Sequence, residues 1–566
     1  MHKPDASDGS IELAPRRVVI VGGVAGGMSA ATRLRRLDEH AVITVLERSG
    51  YVSYANCGLP YYVGSVIEDE EDLLLQTPAR LHARFRLDVR VGTEVVGIDR
   101  ERHYVRVRSM DHESAQVTTI EYDKLILSPG ASAIGLDIPG YERMRLLRTV
   151  EDAGRLVGDL SKTPRSAVVV GAGFVGLETA ENLARHGLAV TVVEAAPQVL
   201  PALDPELAIL VEDELLAHGV AVITGTSVAE VHEWGVILDD GRAVEGELVV
   251  ASVGVRPDVR LARIAGLTLG AHDGIAVDEA NRTSDPDIYA VGDAVEKFDA
   301  IGDTMSLIAL ANVANRQGRR VADHICGRAS RHVPSLGTAI VQVFSVVAAT
   351  TGWNERRLVA AGRRYRVVRT HPMDHASYYP GAESMSIKVL FDPDNGMILG
   401  AQAVGGSGVD KRIDILATAM SGRLPVEELA NLELAYSPPF SSAKDPVNML
   451  GYLAENMRFA GCDLAEPNEI AELLAHGWTL LDVRTEEEHR QGSIAGSVCA
   501  PVDELRERLD RIGTGPFLVY CAVGLRGHIA TTLLKGLGYR ARNVSGGHRT
   551  YMAAQAAKRA TASRVG

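Results

Sequence analysis

The apolar positions near the start of the chain fall into two short β-rich runs with a helix-forming stretch between them. Arg17-Val18-Val19-Ile20-Val21 reads as a strand and feeds directly into Gly22-Gly23-Val24-Ala25-Gly26-Gly27, then an Ala/Arg/Leu helix. A second strand, Val42 to Leu46, ends at Glu47. Strand, glycine-rich turn, helix, strand, acid is the order of a nucleotide-binding βαβ unit. Glycine lets the backbone approach a pyrophosphate, and a helix N-terminus offers free N–H groups and positive dipole. Glu47 then stands where a carboxylate takes ribose hydroxyls. One departure is that Val24 replaces the middle glycine of GxGxxG.

The pattern recurs. Ser166-Ala167-Val168-Val169-Val170 leads into Gly171-Ala172-Gly173-Phe174-Val175-Gly176, an unbroken GxGxxG, and after a helix Val190-Thr191-Val192-Val193 ends at Glu194. A lone turn of this kind is often purely structural; two, each with its acid, predict two bound dinucleotides. Glu194 can accept an adenosine 2′-hydroxyl, and no Arg follows in Ala195-Ala196-Pro197-Gln198 to meet a 2′-phosphate. This end of the unit favours a dinucleotide with a free 2′-hydroxyl over one with a 2′-phosphate. The uncharged stretch from His332 to Asn354 is broken by Ser335, Thr338, Gln342, Ser345 and Thr350, so it predicts a buried strand pair and not a membrane span. After Asn456 the composition changes. Residues 457–470 read as a connection, and Thr479-Leu480-Leu481-Asp482-Val483-Arg484 starts a new α/β pattern. There Phe517-Leu518-Val519-Tyr520 runs into Cys521-Ala522-Val523-Gly524-Leu525-Arg526.

Composition narrows the classes. At about 150 residues per domain, 566 residues make three to four domains. A net charge of −14 argues against nucleic-acid binding by bulk electrostatics. Five Cys, with no paired CxxC, make neither a disulfide scaffold nor a metal site, and suit a reducing compartment. The first residues have no apolar core of a secretory signal, so a cytoplasmic protein is expected.

Together with Tyr122-Asp123-Lys124-Leu125-Ile126-Leu127-Ser128-Pro129-Gly130-Ala131 and Asp287-Ile288-Tyr289-Ala290-Val291-Gly292-Asp293-Ala294, the two units resemble the flavoprotein disulfide reductases. That resemblance covers roughly residues 15–450. It implies FAD on the first unit and NADH on the second, with the second inserted in the first. Cofactor contacts then fall at Gly22, Gly23, Val24, Ala25, Gly26, Gly27, Glu47, Arg48, Gly130, Gly292 and Asp293 for FAD, and at Gly171, Gly173, Gly176 and Glu194 for NADH. The domains implied are FAD-binding over 1–150 and 275–330, NAD-binding over 151–274 and α+β dimerisation over 331–456; after the 457–470 linker, residues 471–566 with the Cys521–Arg526 loop resemble a rhodanese domain. The fold class is α/β: two Rossmann-like domains, the dimerisation domain and the C-terminal rhodanese domain.

Cys57 lies in Ser53-Tyr54-Ala55-Asn56-Cys57-Gly58-Leu59-Pro60-Tyr61. Position 62 is Tyr, which excludes a CxxxxC dithiol. The pattern SxxNCxLPY resembles coenzyme A disulfide reductases and the related NADH-dependent persulfide reductases, in which a single thiolate performs sulfur exchange. Arg33, Arg35 and Arg36 read, on pattern alone, as a solvated helix face. The resemblance implies coenzyme A contacts at Ser29, Arg33, Arg36, Ser53, Asn56 and Lys444, while a further basic contact aligns near Phe85. It also implies that Tyr378 and Tyr436 reach across a homodimer to a shared active site. The last segment resembles a single rhodanese domain, with Cys521 opening and Arg526 closing the persulfide loop. Cys326, Cys462 and Cys499 sit in no such motif and read as structural.

The function expected is NADH-dependent reduction of sulfane sulfur, from coenzyme A persulfide or polysulfide, through a Cys57 adduct, with Cys521 as sulfur carrier. Its rivals are a coenzyme A disulfide reductase, an NADH oxidase or peroxidase, and a redox-sensing interaction protein. A sulfur carrier is superfluous to oxygen reduction, which weighs against the oxidase.

Overall fold

The computed structural model describes residues 15–110, 116–329, 331–459 and 461–562. It divides into two compact units. The first comprises Met1–Gly135, Leu146–Gly158 and Gly254–Ser335. Its centre is a parallel sheet in the order Ile288–Ala290, Lys124–Leu127, Arg17–Val21, Val42–Leu46, Asp88–Arg90. The central strands are apolar and buried over most of their length because both faces are covered, whereas the edge strand Asp88–Arg90 is charged and partly exposed. Val18, Ile20, Ile43 and Val45 enter one core cluster, while Val19, Val21, Leu125 and Leu127 enter another. The helix after the first strand, Ala25–Leu37, begins inside the glycine loop, so Gly26 and Gly27 are helical residues.

The second unit comprises Leu136–Arg145, Asp159–Val253 and Leu336–Gly566. Its first layer is parallel, in the order Ala221–Thr224, Ala189–Glu194, Ser166–Val170, Leu248–Ala251. An antiparallel sheet follows, in the order Ala339–Val343, Val346–Gly352, Ile398–Gly405, Met385–Phe391, Arg366–Thr370. The uncharged stretch is its first hairpin, with Val341 opposite Ala348. The last sheet is parallel, in the order Leu464–Ala465, Ala541–Val544, Phe517–Tyr520, Thr479–Asp482, Val498–Cys499. Leu464 and Ala465 therefore turn part of the expected connection into an edge strand.

Within this unit the C-terminal sheet is fastened by buried polar contacts. Arg369 pairs with Glu206 (3.0 Å) and with Glu466, and Lys388 reaches Asp204 (2.7 Å) and Glu206 (2.6 Å). His371 bridges Ser386 (2.9 Å) and Thr550 (2.7 Å), and Arg549 donates to Ser384 (3.0 Å). Lys388 and Asp204 are almost wholly enclosed, so these charges depend on one another.

Candidate active sites

In the first unit, Gly22 sits at φ +98°, and an added Cβ there would lie 2.0 Å from the Ser128 carbonyl oxygen. A Cβ on Gly27 would lie 1.9 Å from the Gly22 oxygen, so the helix can press on the loop only without side chains. Val24 caps the helix at φ −110°, on the negative-φ side, so the departure from GxGxxG costs no left-handed strain. Glu47 accepts the Gly23 amide (2.7 Å) and the Ser49 amide (2.9 Å), while burial pushes its carboxyl up from the usual range. Asp293 lies in the turn Gly292–Ala294 and pairs with Arg148 (3.1 Å). Gly130, at φ +71°, has only the Arg148 guanidinium within 4 Å of a would-be Cβ, at 3.8 Å. This glycine-lined cradle, ending at Asp293, fits a dinucleotide.

Cys57 is exposed in the short turn Asn56–Gly58, directly before the helix Leu59–Val63. Its loop is tied to the cradle in two places. Ser53, held at φ +52°, donates its amide to the Gly23 oxygen (2.8 Å). The Asn56 side chain, turned to satisfy both amide atoms, donates to the Arg148 oxygen (2.7 Å) and accepts from Arg148 Nη1 (3.1 Å). One arginine thus joins Asn56 to Asp293. Nothing in the sequence around Arg148 announces it.

Ser29 Oγ donates to Asn315 Oδ1 (2.8 Å), which adds Asn315 to the expected set. Arg33 is paired with Asp323 (2.6 Å), whereas Arg36 is exposed. Arg35 departs from the solvated-face expectation: it is 7% exposed. It donates to the carbonyls of Phe85 (2.7 Å) and Glu39 (2.6 Å), binding the helix end to the chain near Phe85.

In the second unit, Gly171 repeats the geometry of Gly22. It has φ +103°, and a Cβ would lie 2.4 Å from the Ser252 oxygen; a Cβ on Gly176 would lie 2.0 Å from the Gly171 oxygen. Gly173 differs, since a Cβ there meets nothing within 4 Å. The open space this leaves over the helix N-terminus fits a diphosphate. Glu194 accepts the Ala172 amide (2.6 Å) and the Ala196 amide (2.7 Å).

Tyr378 and Tyr436 come together with hydroxyls 3.1 Å apart, exposed by 74% and 49%. The Ala376 amide lies 3.4 Å from the Pro438 carbonyl oxygen and 3.2 Å from that of Ser441, which joins the two loops. Behind them Asp374 holds His375 Nδ1 at 2.7 Å and raises its pKa. Lys444 is exposed.

Cys521 is 1% exposed, and its Sγ accepts the Gly524 amide at 3.1 Å. The helix Leu525–Gly536 starts at this loop and directs its N-terminus there, an arrangement that favours a sulfur anion. Arg526 is held bidentately by Glu488, at 2.7 and 2.6 Å. The guanidinium lowers the Glu488 carboxyl to about 2. Below the loop, Tyr520 donates to Asp482 (2.8 Å), which also binds Arg484 (2.7 Å) and His489 (2.9 Å).

Comparison with known proteins agrees with this architecture. The family described as pyridine nucleotide-disulphide oxidoreductase matches residues 16–318, and its dimerisation domain matches residues 338–446. A rhodanese-like domain matches residues 466–554. The chain belongs to the pyridine nucleotide-disulphide oxidoreductases and carries a rhodanese-like domain at its C-terminal end; the α/β class expected from the sequence stands. Among its relatives, the coenzyme A disulfide reductase of Staphylococcus epidermidis is 33% identical over 441 residues, 78% of this chain and 100% of that one. Among solved structures, reduced Bacillus anthracis CoADR-RHD has 43% identity and a TM-score of 0.93, over 96% of this chain and 98% of that one. A NAD-dependent persulfide reductase from A. fulgidus has 35% identity and a TM-score of 0.88, over 94% and 100%. Among the described residues no helix is long and apolar enough to cross a membrane.

Proposed function

We propose that this protein is an NADH-dependent flavoenzyme that reduces sulfane sulfur carried by coenzyme A or polysulfide. The observation that carries the reading is an exposed, single Cys57 whose loop is joined through Asn56 and Arg148 to Asp293, with Tyr62 where a second thiol would stand. FAD, when bound in the first cradle, supplies the relay of two electrons from NADH to sulfur. The Cys57 thiolate breaks the donor's S–S bond: at the outer, sulfane sulfur it forms a Cys57 persulfide and expels coenzyme A thiolate or the shortened polysulfide, and at the inner sulfur it forms a Cys57–coenzyme A disulfide and expels hydrosulfide. Two electrons then cleave the new S–S bond, restoring the thiolate and releasing the second sulfur product. Tyr378 and Tyr436, brought over from a partner subunit of a cytoplasmic homodimer, donate a hydrogen bond or proton to the departing sulfur. Ser29, Ser53, Asn56, Arg36 and Lys444 bind coenzyme A, and Arg33 does so from its pair with Asp323. Cys521 holds sulfane sulfur as a persulfide among loop amides, with Arg526 positioned by Glu488.

A second reading, reduction of coenzyme A disulfide itself, is favoured by the Staphylococcus relatives, which carry that name. Anaerobic steady-state rates with coenzyme A persulfide, polysulfide, glutathione persulfide and coenzyme A disulfide, measured side by side, test the proposal. It expects a persulfide or polysulfide to give the highest kcat/KM. A clear lead for coenzyme A disulfide would establish the second reading.

A further inference from the structure

The helix Ala311–Ile325 borders a cavity of about 390 Å³ in the first unit whose arginines none of the steps above uses; its wall meets those steps only at Asp323, the partner of Arg33. Its volume lies in the range of small-molecule sites. Arg316, Arg319 and Arg320 line it from the helix, and Arg331 and Lys297 line it from other segments. The carboxylates in the wall are largely committed: Asp278 to Arg282 (2.8 Å), Asp323 to Arg33 (2.6 Å) and Glu296 to the His272 amide (2.6 Å). Glu279 is the exception among them. Arg316, Arg319 and Arg331 have no hydrogen-bond or ion-pair partner among the described residues, and Arg320 Nε is buried without one. Burial, with a smaller push from the neighbouring Arg316 charge, lowers the Arg320 guanidinium against the opposing pull of Asp278 and Glu279, and its Nη2 donates to Asn281. Val313, Met305 and Phe298 supply an apolar wall, and His332 stands edge-on to Phe298 with ring centroids 6.2 Å apart.

We propose that this cavity is a third nucleotide site, binding a nucleoside di- or triphosphate through Arg316, Arg319 and Arg331, with the base against the Phe298 and Met305 wall. Guanidinium forks match phosphate oxygens bidentately, and several converging on one cavity select a polyphosphate over a single charge. The site is wired to the flavin cradle. Gln317 accepts the Gly292 amide (2.9 Å), and Lys297 donates to the Gly292 oxygen (2.6 Å), one residue before Asp293. Occupancy bears on the turn that carries Asp293 and modulates the bound flavin.

Calorimetric titration of ADP into the FAD-loaded protein, with NAD⁺ and coenzyme A both saturating, keeps the other adenine-accepting sites filled. ADP is expected to bind once per chain and to shift the flavin absorbance. Arg316→Ala with Arg331→Ala should weaken binding by about tenfold or more, with FAD content and kcat/KM for NADH retained. Arg319→Ala, made separately, should give the same direction if the double variant folds poorly. Absence of binding under these conditions, or equal binding by wild type and variants, would overturn the site. Inorganic pyrophosphate binding as tightly as ADP would overturn the nucleoside assignment.

Discussion

Glu194 closes its strand with both carboxylate oxygens already accepting the Ala172 and Ala196 amides, so the group is fixed in place and stays available to a ribose hydroxyl. A 2′-phosphate would meet this charge without a neighbouring arginine, a like-charge contact that costs on the order of a few kcal/mol. We expect kcat/KM for NADH to exceed that for NADPH by about a hundredfold or more, and equal values would refute the assignment. Cys57, Cys521 and the two acids stand out in the sequence as candidates because each belongs to a short local motif. Arg148, Asn315 and Glu488 do not, because each is defined by a partner distant in sequence: 145 positions for Arg148 and Asp293, 286 for Asn315 and Ser29, and 38 for Glu488 and Arg526. Arg35 misled for the same reason, since its carbonyl partners lie partly on a segment 50 positions away.

At the level of elements, the strands Arg366–Thr370 and Met385–Phe391 bring Arg369, His371 and Lys388 against Glu206 and Thr550. Glu206 is held at about 2 by Lys388 and Arg369 despite burial that opposes it. A carboxyl depressed in this way stabilises the fold fully above its ordinary range and loses that stabilisation as pH falls toward 2. His371 is held at about 3, chiefly by burial, so its contribution is complete above about 6.5 and declines as pH falls toward 3. Thermal unfolding should therefore show stability falling as pH drops below about 6.5. His371→Gln should flatten the upper part of that slope; an unchanged slope would remove His371 from the explanation. Glu206→Gln removes one carboxylate from around Lys388 and Arg369 while Asp204 and Glu466 remain, and a loss of about 1–3 kcal/mol is expected, read as a lower midpoint in urea. Of the four five-stranded sheets, the three parallel ones show central strands in the sequence pattern, and the antiparallel one shows only its first hairpin. The edge strand Leu464–Ala465 does not show, because two residues carry no periodicity and its pairing with Asn543 and Val544 is long-range.

Over the whole molecule, the proposed reading divides the chemistry between two thiols of opposite character: Cys57 is exposed, and Cys521 is buried with its Sγ on the Gly524 amide. Each should keep its own reaction when the other is removed. Cys521→Ser is expected to abolish thiosulfate-type sulfur transfer and to spare reduction of a small persulfide supplied directly; unchanged rates with every donor would reduce the rhodanese domain to a docking module. The central claim, that sulfur is reduced through Cys57, is tested most directly by purifying Cys57→Ser and measuring NADH-dependent sulfide release anaerobically. The account predicts a protein that keeps FAD and its yellow colour and falls below about a tenth of wild-type turnover. A variant that released sulfide at close to the wild-type rate would place the reaction elsewhere.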